Sequence, residues 1–304
     1  MEELPPTDAE LSHDPVMVSE VCEALNIQPD GIYIDATFGR GGHAAAILKK
    51  LGSDGRLIAL DRDEAAAERA STASWQDPRF TFKKALFREI EAICVQKGIA
   101  GKVDGVLMDI GLSSPQLDDP KRGFSFLNPG PLDMRMDQTE PFSAKEWVNK
   151  ASEFEIARVL KEFGEERFYQ KIAHAIILAR RQQPIETTLQ LASIIAHAKP
   201  LSERSIHPAT QSFQAIRIVI NRELEELSLG LKQSMRVLKV GGRLAVLSYH
   251  SLEDRMVKHF MAIGKNTSEW FPYGKKRKAT EVEIMENRRA RSAILRVAEK
   301  GGGV

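Results

Sequence analysis

The segment GIYIDATFGRGGHAAAILKKLG (Gly31–Gly52) carries the clearest structural pattern in the chain. Its first five residues are mostly apolar and predict a short buried strand. A glycine-rich loop follows, and an alanine-rich helix then ends near Gly52, a residue type that often terminates helices. A strand, a glycine loop and a helix in this order are typical of nucleoside- or phosphate-binding folds, because glycine lets the backbone approach a ligand.

Further apolar segments predict more strands, and predicted helices separate most of them. These segments are RLIALD (Arg56–Asp61), RFTFK (Arg79–Lys83), VDGVLMD (Val103–Asp109), VGGRLAVLS (Val240–Ser248) and AILRVA (Ala293–Ala298). Apolar strands that alternate with helices indicate a parallel sheet covered on both faces. The sequence therefore predicts an α/β protein with a doubly wound, mostly parallel, Rossmann-like sheet.

The alternation stops after the fourth predicted strand. Residues Gly111–Pro141 are rich in Pro, Gly, Asp and Ser, and ordered loops of this length are usually functional. Capping-box patterns then predict helices that begin at Ser143, Ser152 and Thr187. A long helix is expected from about Ala209 to Leu238. The pattern Ser251-x-x-Asp254 is expected to cap a later helix.

These elements predict one domain that is interrupted by an insertion. Residues 13–115 and 207–300 are expected to form the sheet domain. Residues 116–206 are expected to form a loop and an all-helical insertion that recognises the substrate. Residues 1–12 are acidic and proline-containing, and we expect them to be disordered.

The composition excludes several classes of protein. The 304 residues are 42% hydrophobic and 28% charged, so the chain can bury a core. The net charge of +1 means that any nucleic-acid contact must come from a local patch. No apolar run is long enough to span a membrane, and the first residues resemble no signal or transit peptide. The two cysteines provide neither a disulfide framework nor a metal site, and a cytoplasmic location is expected.

The glycine loop and the acids around it predict the cofactor. Gly39, Gly41 and Ala44 fit G-x-G-x-x-G/A, and Asp61 lies about 20 residues further on, where a ribose-binding acid belongs. This pattern also fits a nicotinamide cofactor, and Asp61 has the alternative role of a helix N-terminal acid. However, the first strand ends in Asp35, which would repel a pyrophosphate but suits either an ammonium group or a structural hydrogen bond. The later glycine turn before the fifth strand likewise resembles the S-adenosylmethionine methyltransferase fold.

Long sequence blocks then identify a specific resemblance to the bacterial 16S ribosomal RNA cytosine-N4 methyltransferase family. The blocks are DATFGRGGH (Asp35–His43), DGVLMDIGLSSPQLDD (Asp104–Asp119), RGFSF and GPLDMRMD (within Arg122–Asp137), HPATQSFQAIRI (His207–Ile218), GGRLAVLSYHSLEDR (Gly241–Arg255) and ARSAILRVAE (Ala290–Glu299). They occur in the family's order and span nearly the whole chain. The resemblance implies methyl transfer from S-adenosylmethionine to a decoding-region cytidine of 16S ribosomal RNA, within the small ribosomal subunit. It also suggests a homodimer.

The resemblance carries the family's cofactor contacts onto seven positions, which all match in residue type. They are Gly41, Gly42, His43, Asp61, Phe87, Asp109 and Gln116. Alternatives remain for some of them. The glycines also fit a tight turn without a ligand, and Phe87 fits either adenine stacking or the apolar core.

The segment after the fourth strand contains the candidate catalytic residues. Ser113-Ser114-Pro115 is similar to the (D/N/S)-P-P-(Y/F) motif of amino methyltransferases, in which a polar side chain and a backbone carbonyl hold the amine. The cytosine amine is a poor nucleophile, so accepting hydrogen bonds from its N–H groups and aligning it with the methyl group are the main tasks. Asp109 would anchor the cofactor or take up the released proton. A turn or helix cap is the alternative for the Ser-Ser-Pro segment.

Other candidates concern the RNA. His250 is expected to reach the base or a phosphate, unless it is a packed strand-end histidine. Asp133 and Arg135 fix the RNA or close over the cofactor, or else form an internal ion pair that stiffens the loop. The stretch Arg255–Lys300 holds twelve Lys/Arg against five Asp/Glu. With the aromatic residues of Trp270–Tyr273 it is a candidate RNA surface, and ordinary solvated surface is the alternative.

Three other functions share part of this pattern. A nicotinamide-dependent oxidoreductase shares the glycine loop. A non-catalytic RNA-binding or ribosome-assembly protein shares the fold, and a DNA or protein amino methyltransferase shares the chemistry. Only the family blocks favour ribosomal RNA over the last of these.

Overall fold

The computed structural model describes residues 15–200 and 207–302. The chain divides into two compact units. The first comprises Met1–Gly111 with Glu225–Val304, and the second comprises Leu112–Leu224. The segment 1–12, which the sequence predicts to be disordered, lies outside the described residues.

The first unit is built on a sheet of eight strands within the described residues. The strands are β1 (Ile32–Asp35), β2 (Arg56–Asp61), β3 (Phe80–Lys84), β4 (Val103–Asp109), β5 (Leu238–Ser248), β6 (Trp270–Pro272), β7 (Arg277–Lys278) and β8 (Ile294–Lys300). Their order is β3-β2-β1-β4-β5-β8-β6, and β7 also pairs with β8. The strands β1 to β5 are mutually parallel, whereas β8 is antiparallel to β5 and to its other neighbours. The predicted Rossmann-like α/β fold is confirmed, and the short edge strands β6 and β7 are additions that the sequence analysis did not predict.

Helices of the first unit flank this sheet. They are α1 (Val18–Leu25), α2 (Gly42–Leu48), α3 (Glu64–Ala70), α4 (Ile90–Gln96), α11 (Glu223–Val237), α12 (Ser251–Thr267) and α13 (Glu281–Glu286), of which α11 starts at the end of the second unit. Two separate apolar clusters form the core. One contains Tyr33, Leu57 and Leu107, and the other contains Ile34 and Met108. Adjacent strand residues such as Tyr33 and Ile34 thus fall into different clusters, as expected for a sheet that is buried on both faces.

The second unit has its own apolar core and is mainly helical. Its helices are α5 (Ser114–Asp118), α6 (Ala144–Lys150), α7 (Glu153–Gly164), α8 (Tyr169–Gln182), α9 (Thr188–Ala198) and α10 (Thr210–Asn221). The capping boxes at Ser143 and Thr187 are present, and the Ser152 side chain accepts a hydrogen bond from the N–H of Glu155. The second unit is thus mainly helical, whereas the predicted domain division at 116–206 and a role in substrate recognition stay predictions.

The predicted single helix from Ala209 to Leu238 is wrong. The structure contains two helices, α10 and α11, which are separated at Arg222. This residue adopts a left-handed conformation with φ 49°. Such breaks are usually marked by glycine or asparagine. Here an arginine occupies the position, so the apolar spacing continued across the break without a signal.

The predicted cap Ser251-x-x-Asp254 is also wrong, by one residue. The N-cap of α12 is His250, whose ring accepts a hydrogen bond from the N–H of Glu253. In return, Glu253 Oε2 accepts the N–H groups of Tyr249 at 2.9 Å and of His250 at 3.3 Å. Asp254 instead forms an ion pair with Arg296, with 2.6 Å between Oδ1 and Nε. A glutamate at the third helical position thus selects the capping residue.

None of the helices within the described residues has both the length and the apolar character needed to cross a membrane.

Candidate active site

Three carboxylates lie at the carboxyl ends of neighbouring strands in the first unit. Asp35 ends β1, Asp61 ends β2 and Asp109 ends β4, and these strands are adjacent in the sheet. In open α/β sheets this edge is where ligands bind. Burial raises the pKa of all three groups above the usual aspartate value. The edge therefore concentrates negative charge that is poorly solvated and suits a cationic ligand.

Asp35 is the most deeply buried of the three. Its side chain has no solvent exposure. One carboxylate oxygen, Oδ1, accepts the backbone N–H of Thr37 at 3.1 Å. The other, Oδ2, has no hydrogen-bond partner within the described residues. Burial raises the pKa of Asp35 to about 6, and a buried charge with an unpaired oxygen is costly unless a ligand completes it.

Thr37 connects Asp35 to Asp109. It occupies the position of the first glycine in D-x-G-x-G-x-G, the usual glycine pattern of the S-adenosylmethionine methyltransferase fold. Its hydroxyl lies 3.4 Å from Asp35 Oδ1 and accepts the backbone N–H of Asp109 at 2.7 Å. This substitution therefore adds a side chain that fixes the ends of β1 and β4 relative to each other.

Asp61 holds the glycine loop. Its Oδ2 accepts the N–H of Gly39 at 2.8 Å, and its Oδ1 accepts the N–H of Asp63 at 2.9 Å. The alternative role of Asp61 as a helix cap belongs to Asp63, whose carboxylate accepts the N–H of Ala65 at 3.0 Å and caps α3. Asp61 keeps partial exposure and remains a candidate to bind a ribose.

The glycines of the loop satisfy steric requirements of the protein itself. Gly41 has φ +84°, and a Cβ there would lie 2.1 Å from the Trp75 ring. A Cβ on Gly42 would lie 2.6 Å from Pro15. Close packing against protein side chains thus explains both glycines, and their predicted contact with a cofactor stays a prediction.

His43 and Asp109 lie next to each other. The His43 ring is buried, and its Nε2 is 2.9 Å from the Val16 carbonyl oxygen. A carbonyl can only accept, so Nε2 carries the proton. The other ring nitrogen, Nδ1, is 3.6 Å from Asp109 Oδ2. The Asp109 side chain keeps 23% exposure, so it is accessible from solvent.

Tyr249 is a site residue that the sequence analysis missed. Its hydroxyl donates to Asp109 Oδ1 at 2.7 Å. Its ring also covers Gly111, where a Cβ would lie 3.0 Å from Tyr249 Cδ2. Burial and the neighbouring Asp109 carboxylate raise the pKa of Tyr249 well above its usual value. The phenol therefore stays protonated and donates to Asp109 at physiological pH.

Phe87 begins a 3₁₀ turn, Phe87–Glu89, after β3. It is partly buried and packs against an apolar cluster of the first unit. A Cβ on Gly230 of α11 would lie 2.7 Å from the Phe87 Cβ. Packing in the apolar core thus explains part of the Phe87 ring. Another part is exposed, and its stacking on an adenine stays a prediction.

The Ser-Ser-Pro-Gln segment belongs to the second unit. Ser113 is the N-cap of α5, whose helical residues start at Ser114, with Pro115 in the first turn. The buried Gln116 accepts the N–H of Ser113 on its Oε1 at 2.9 Å. The helix-cap alternative is thus observed for Ser113 and Gln116, while their roles in binding cofactor or amine stay predictions.

Asp133 and Arg135 form the internal ion pair that the sequence left as an alternative. Arg135 Nε is 2.8 Å from Asp133 Oδ1, and Nη2 is 2.7 Å from Oδ2. Arg135 Nη1 also donates to the carbonyl of Gln138 at 3.0 Å. This two-bond pairing stabilises the loop of the second unit. Contact of either residue with RNA is not needed to explain their presence.

His250 has a structural role as the cap of α12. Its side chain is 11% exposed, and its Nε2 lies 3.0 Å from Glu253 Oε1. The expected contact of His250 with a base or a phosphate stays a prediction, because the cap explains its position without it.

Comparison with known proteins identifies the family of this chain. Residues 10–301 match the model of the MraW methylase family. A protein of Thioalkalivibrio sulfidiphilus named ribosomal RNA small subunit methyltransferase H is 51% identical, over 95% of this chain and 97% of its own length. Proteins of the same name from Pseudoalteromonas atlantica and Methylococcus capsulatus are each 50% identical, over 95% and 93% of this chain and over 98% and 99% of their own lengths. The matches cover both units, and the chain belongs to the MraW methylase family.

Proposed function

We propose that this enzyme transfers a methyl group from S-adenosylmethionine to the N4 amine of a cytidine in the decoding region of 16S ribosomal RNA. The observation that carries the proposal is the row of carboxylates formed by Asp35, Asp61 and Asp109, of which Asp35 is fully buried and the other two are partly exposed. S-adenosylmethionine carries positive charge on its sulfonium and its ammonium groups, so this edge attracts it. The names of the relatives indicate the RNA.

The unpartnered Oδ2 of Asp35 fits the cofactor. A buried carboxylate oxygen without a donor suits an ammonium group, which donates and carries the opposite charge. Asp61 would hold the ribose hydroxyls, and Phe87 would cover the adenine. The other proposed contacts are Gly41, Gly42, His43, Asp109 and Gln116. When bound, S-adenosylmethionine supplies an electrophilic methyl group.

The chain's own residues position the amine. We assign Ser113 or Ser114 as the side-chain acceptor of an amine N–H, with the carbonyl of Ser114 or Pro115 beside it. Asp109 anchors the cofactor or takes up the released proton. Its hydrogen bond from Tyr249 and its proximity to His43 both favour the ionised carboxylate.

Asp35 argues against a nicotinamide cofactor. A dinucleotide places a pyrophosphate near the first-strand loop, where Asp35 lies fully buried without a cationic side chain bonded to it among the described residues. Like charges in a poorly solvated site repel strongly. The acidic edge therefore favours a cationic donor.

Further parts of the proposal concern context. The helical second unit is proposed to recognise the RNA, and the target cytidine would have to leave its stack to be methylated. The small ribosomal subunit as the substrate particle, a homodimer and a cytoplasmic location follow from the resemblance and stay predictions.

The test is mass spectrometry of nucleosides after incubation with S-adenosylmethionine. Naked 16S RNA and unmethylated small subunits are assayed separately. We expect N4-methylcytidine at one position in at least one of them. A product on another base, or no product with either substrate, would refute the proposed reaction.

Two variants test the assigned residues. Asp109→Ala and Ser114→Ala are each expected to lower single-turnover methylation at least tenfold, about 1.4 kcal/mol of transition-state stabilisation. Asp30→Ala and Ser53→Ala remove the same groups at exposed positions of the first unit and are expected to keep the wild-type rate. Wild-type rates in both site variants would end the assignment.

A further inference from the structure

A cluster of exposed cationic side chains lies on the first unit, beyond the residues assigned above. We call it the basic strip, and it consists of Lys275, Lys276, Lys278, Arg288 and Arg291, all of which are exposed. The stretch 275–291 holds seven Lys/Arg and three Asp/Glu, whereas the whole chain has a net charge of only +1. Positive charge is therefore concentrated in this short part of the sequence.

The strand pairing places the basic strip at the same edge of the sheet as the candidate active site. Lys278 of β7 pairs with Ile294 at the start of β8. Ile294 in turn pairs with Ser248, the last residue of β5. The preceding β5 residue, Leu247, pairs with Asp109. Three strand spacings of roughly 4.8 Å thus separate β7 from β4, which is about 14 Å across the sheet.

Two other observations locate the rest of the basic strip. Arg288 and Arg291 belong to the 3₁₀ turn Arg288–Ser292, which directly precedes β8 and thus lies at the same edge. The pKa of Asp254 in the first turn of α12 is lowered mainly by its hydrogen bond to Arg296, and further by the charges of Lys276 and Lys258. Lys276 is therefore near the start of α12, which follows directly after β5.

Neighbouring side chains have structural roles and do not belong to the basic strip. Arg277 forms an ion pair with Glu23, with 2.7 Å between Nη1 and Oε2. The Trp270 ring stacks on Phe260 at 4.6 Å, and its Nε1–H donates to the carbonyl of Phe260 at 3.2 Å. These contacts give Trp270 a structural role, and its expected contact with RNA stays a prediction.

We infer that the basic strip binds backbone phosphates of the RNA that flanks the target cytidine. The inference rests on the proposed function, because it takes RNA as the substrate. An RNA that delivers a base to Asp109 reaches this edge of the sheet, where β7 lies about 14 Å from β4 and the exposed lysines and arginines of the basic strip match the charge of its phosphates. Each phosphate that such residues neutralise adds about 0.7 to the salt dependence of single-strand binding.

The experiment measures binding of a synthetic RNA fragment containing the target cytidine over a series of salt concentrations. The strip variant carries Lys275→Gln, Lys276→Gln and Lys278→Gln. Its slope of log affinity against log salt is expected to be shallower than that of the wild type by about 2, from three lost phosphate contacts. The control variant carries Lys50→Gln, Lys97→Gln and Lys102→Gln, three exposed lysines on loops and helix ends that precede β2 and β4.

The control variant is expected to keep the wild-type slope, and both variants are expected to bind S-adenosylhomocysteine like the wild type. An unchanged slope in the strip variant, or an equal loss in the control variant, would overturn the inference. Failure of the proposed function gives a different result, because the wild-type protein would then bind the RNA without methylating it. In that case the slopes still decide whether the basic strip binds phosphate.

Discussion

Replacing Asp35 by asparagine is expected to make the stability of the unliganded protein less dependent on pH. The folded-state pKa of Asp35 is about 6, against an ordinary value of 3.8, because burial disfavours the charged form. At 1.36 kcal/mol per pKa unit, ionised Asp35 destabilises the folded protein by up to about 3 kcal/mol near neutral pH. The asparagine side chain would keep an acceptor for the N–H of Thr37 without the charge.

The direction of the pH effect follows from the raised pKa. Between about pH 4 and pH 6 the folded wild type holds a proton on Asp35 that the unfolded chain has released. The free energy of unfolding therefore falls as the pH rises through this window. Asp35→Asn removes that fall, so its stability relative to the wild type should increase with pH and level off above pH 6.

The assay is urea unfolding of both proteins at several pH values, with calorimetric titration of S-adenosylmethionine and S-adenosylhomocysteine at neutral pH. Both ligands carry the ammonium group, so both are expected to bind the variant at least tenfold more weakly. Asp30→Asn is the matched control, because Asp30 is exposed. It should change neither stability nor affinity.

A stability difference that is constant between pH 4 and pH 8 would refute the raised pKa. Undiminished affinity for both ligands would refute the assignment of Asp35 Oδ2 to the ammonium group. Loss of affinity for S-adenosylmethionine alone would also refute it, because the sulfonium would then be the partner.

Two other substitutions test contacts within each unit. Tyr249→Phe removes a hydrogen bond that lowers the pKa of Asp109. The acidic limb of the pH profile of single-turnover methylation should therefore move to higher pH. The affinity for S-adenosylhomocysteine should be kept. The exposed Tyr273→Phe is its control, and an unshifted profile would contradict the positioning role. Asn221→Ala removes the side chain that accepts the N–H of Met136 at 2.8 Å and donates to the carbonyl of Met134 at 2.7 Å. It should destabilise the second unit by about 1–3 kcal/mol in urea unfolding, and wild-type stability would show that water replaces these bonds.

The sheet was predictable because its strands are short apolar runs with clear boundaries. Each predicted strand from Gly31–Asp35 to Ala293–Ala298 overlaps an observed one, with ends that differ by at most two residues. Buried strands of a parallel sheet must be apolar on both faces, so their pattern is strong. The strands β6 and β7 are two or three residues long, too short for any periodic pattern.

The candidate site was predictable in its acids and not in its connections. Asp35, Asp61 and Asp109 could be placed because each follows a strand, and strand ends share one edge. The partner of Asp109 could not be placed, because adjacent residues at the end of β5 point in different directions. The sequence analysis therefore selected His250, whereas the structure directs Tyr249 to Asp109 and uses His250 as a cap.

The near-zero net charge hides two opposite features at one edge of the sheet. The carboxylates of Asp35, Asp61 and Asp109 are poorly solvated, while the basic strip is exposed, and about 14 Å separate β4 from β7. The side chains of the basic strip are exposed, so at physiological ionic strength salt screens their field over a Debye length of about 8 Å, which is shorter than this separation. The basic strip therefore does little to neutralise the acidic edge, and a cationic donor and a polyanionic RNA can both be attracted to neighbouring parts of the same edge.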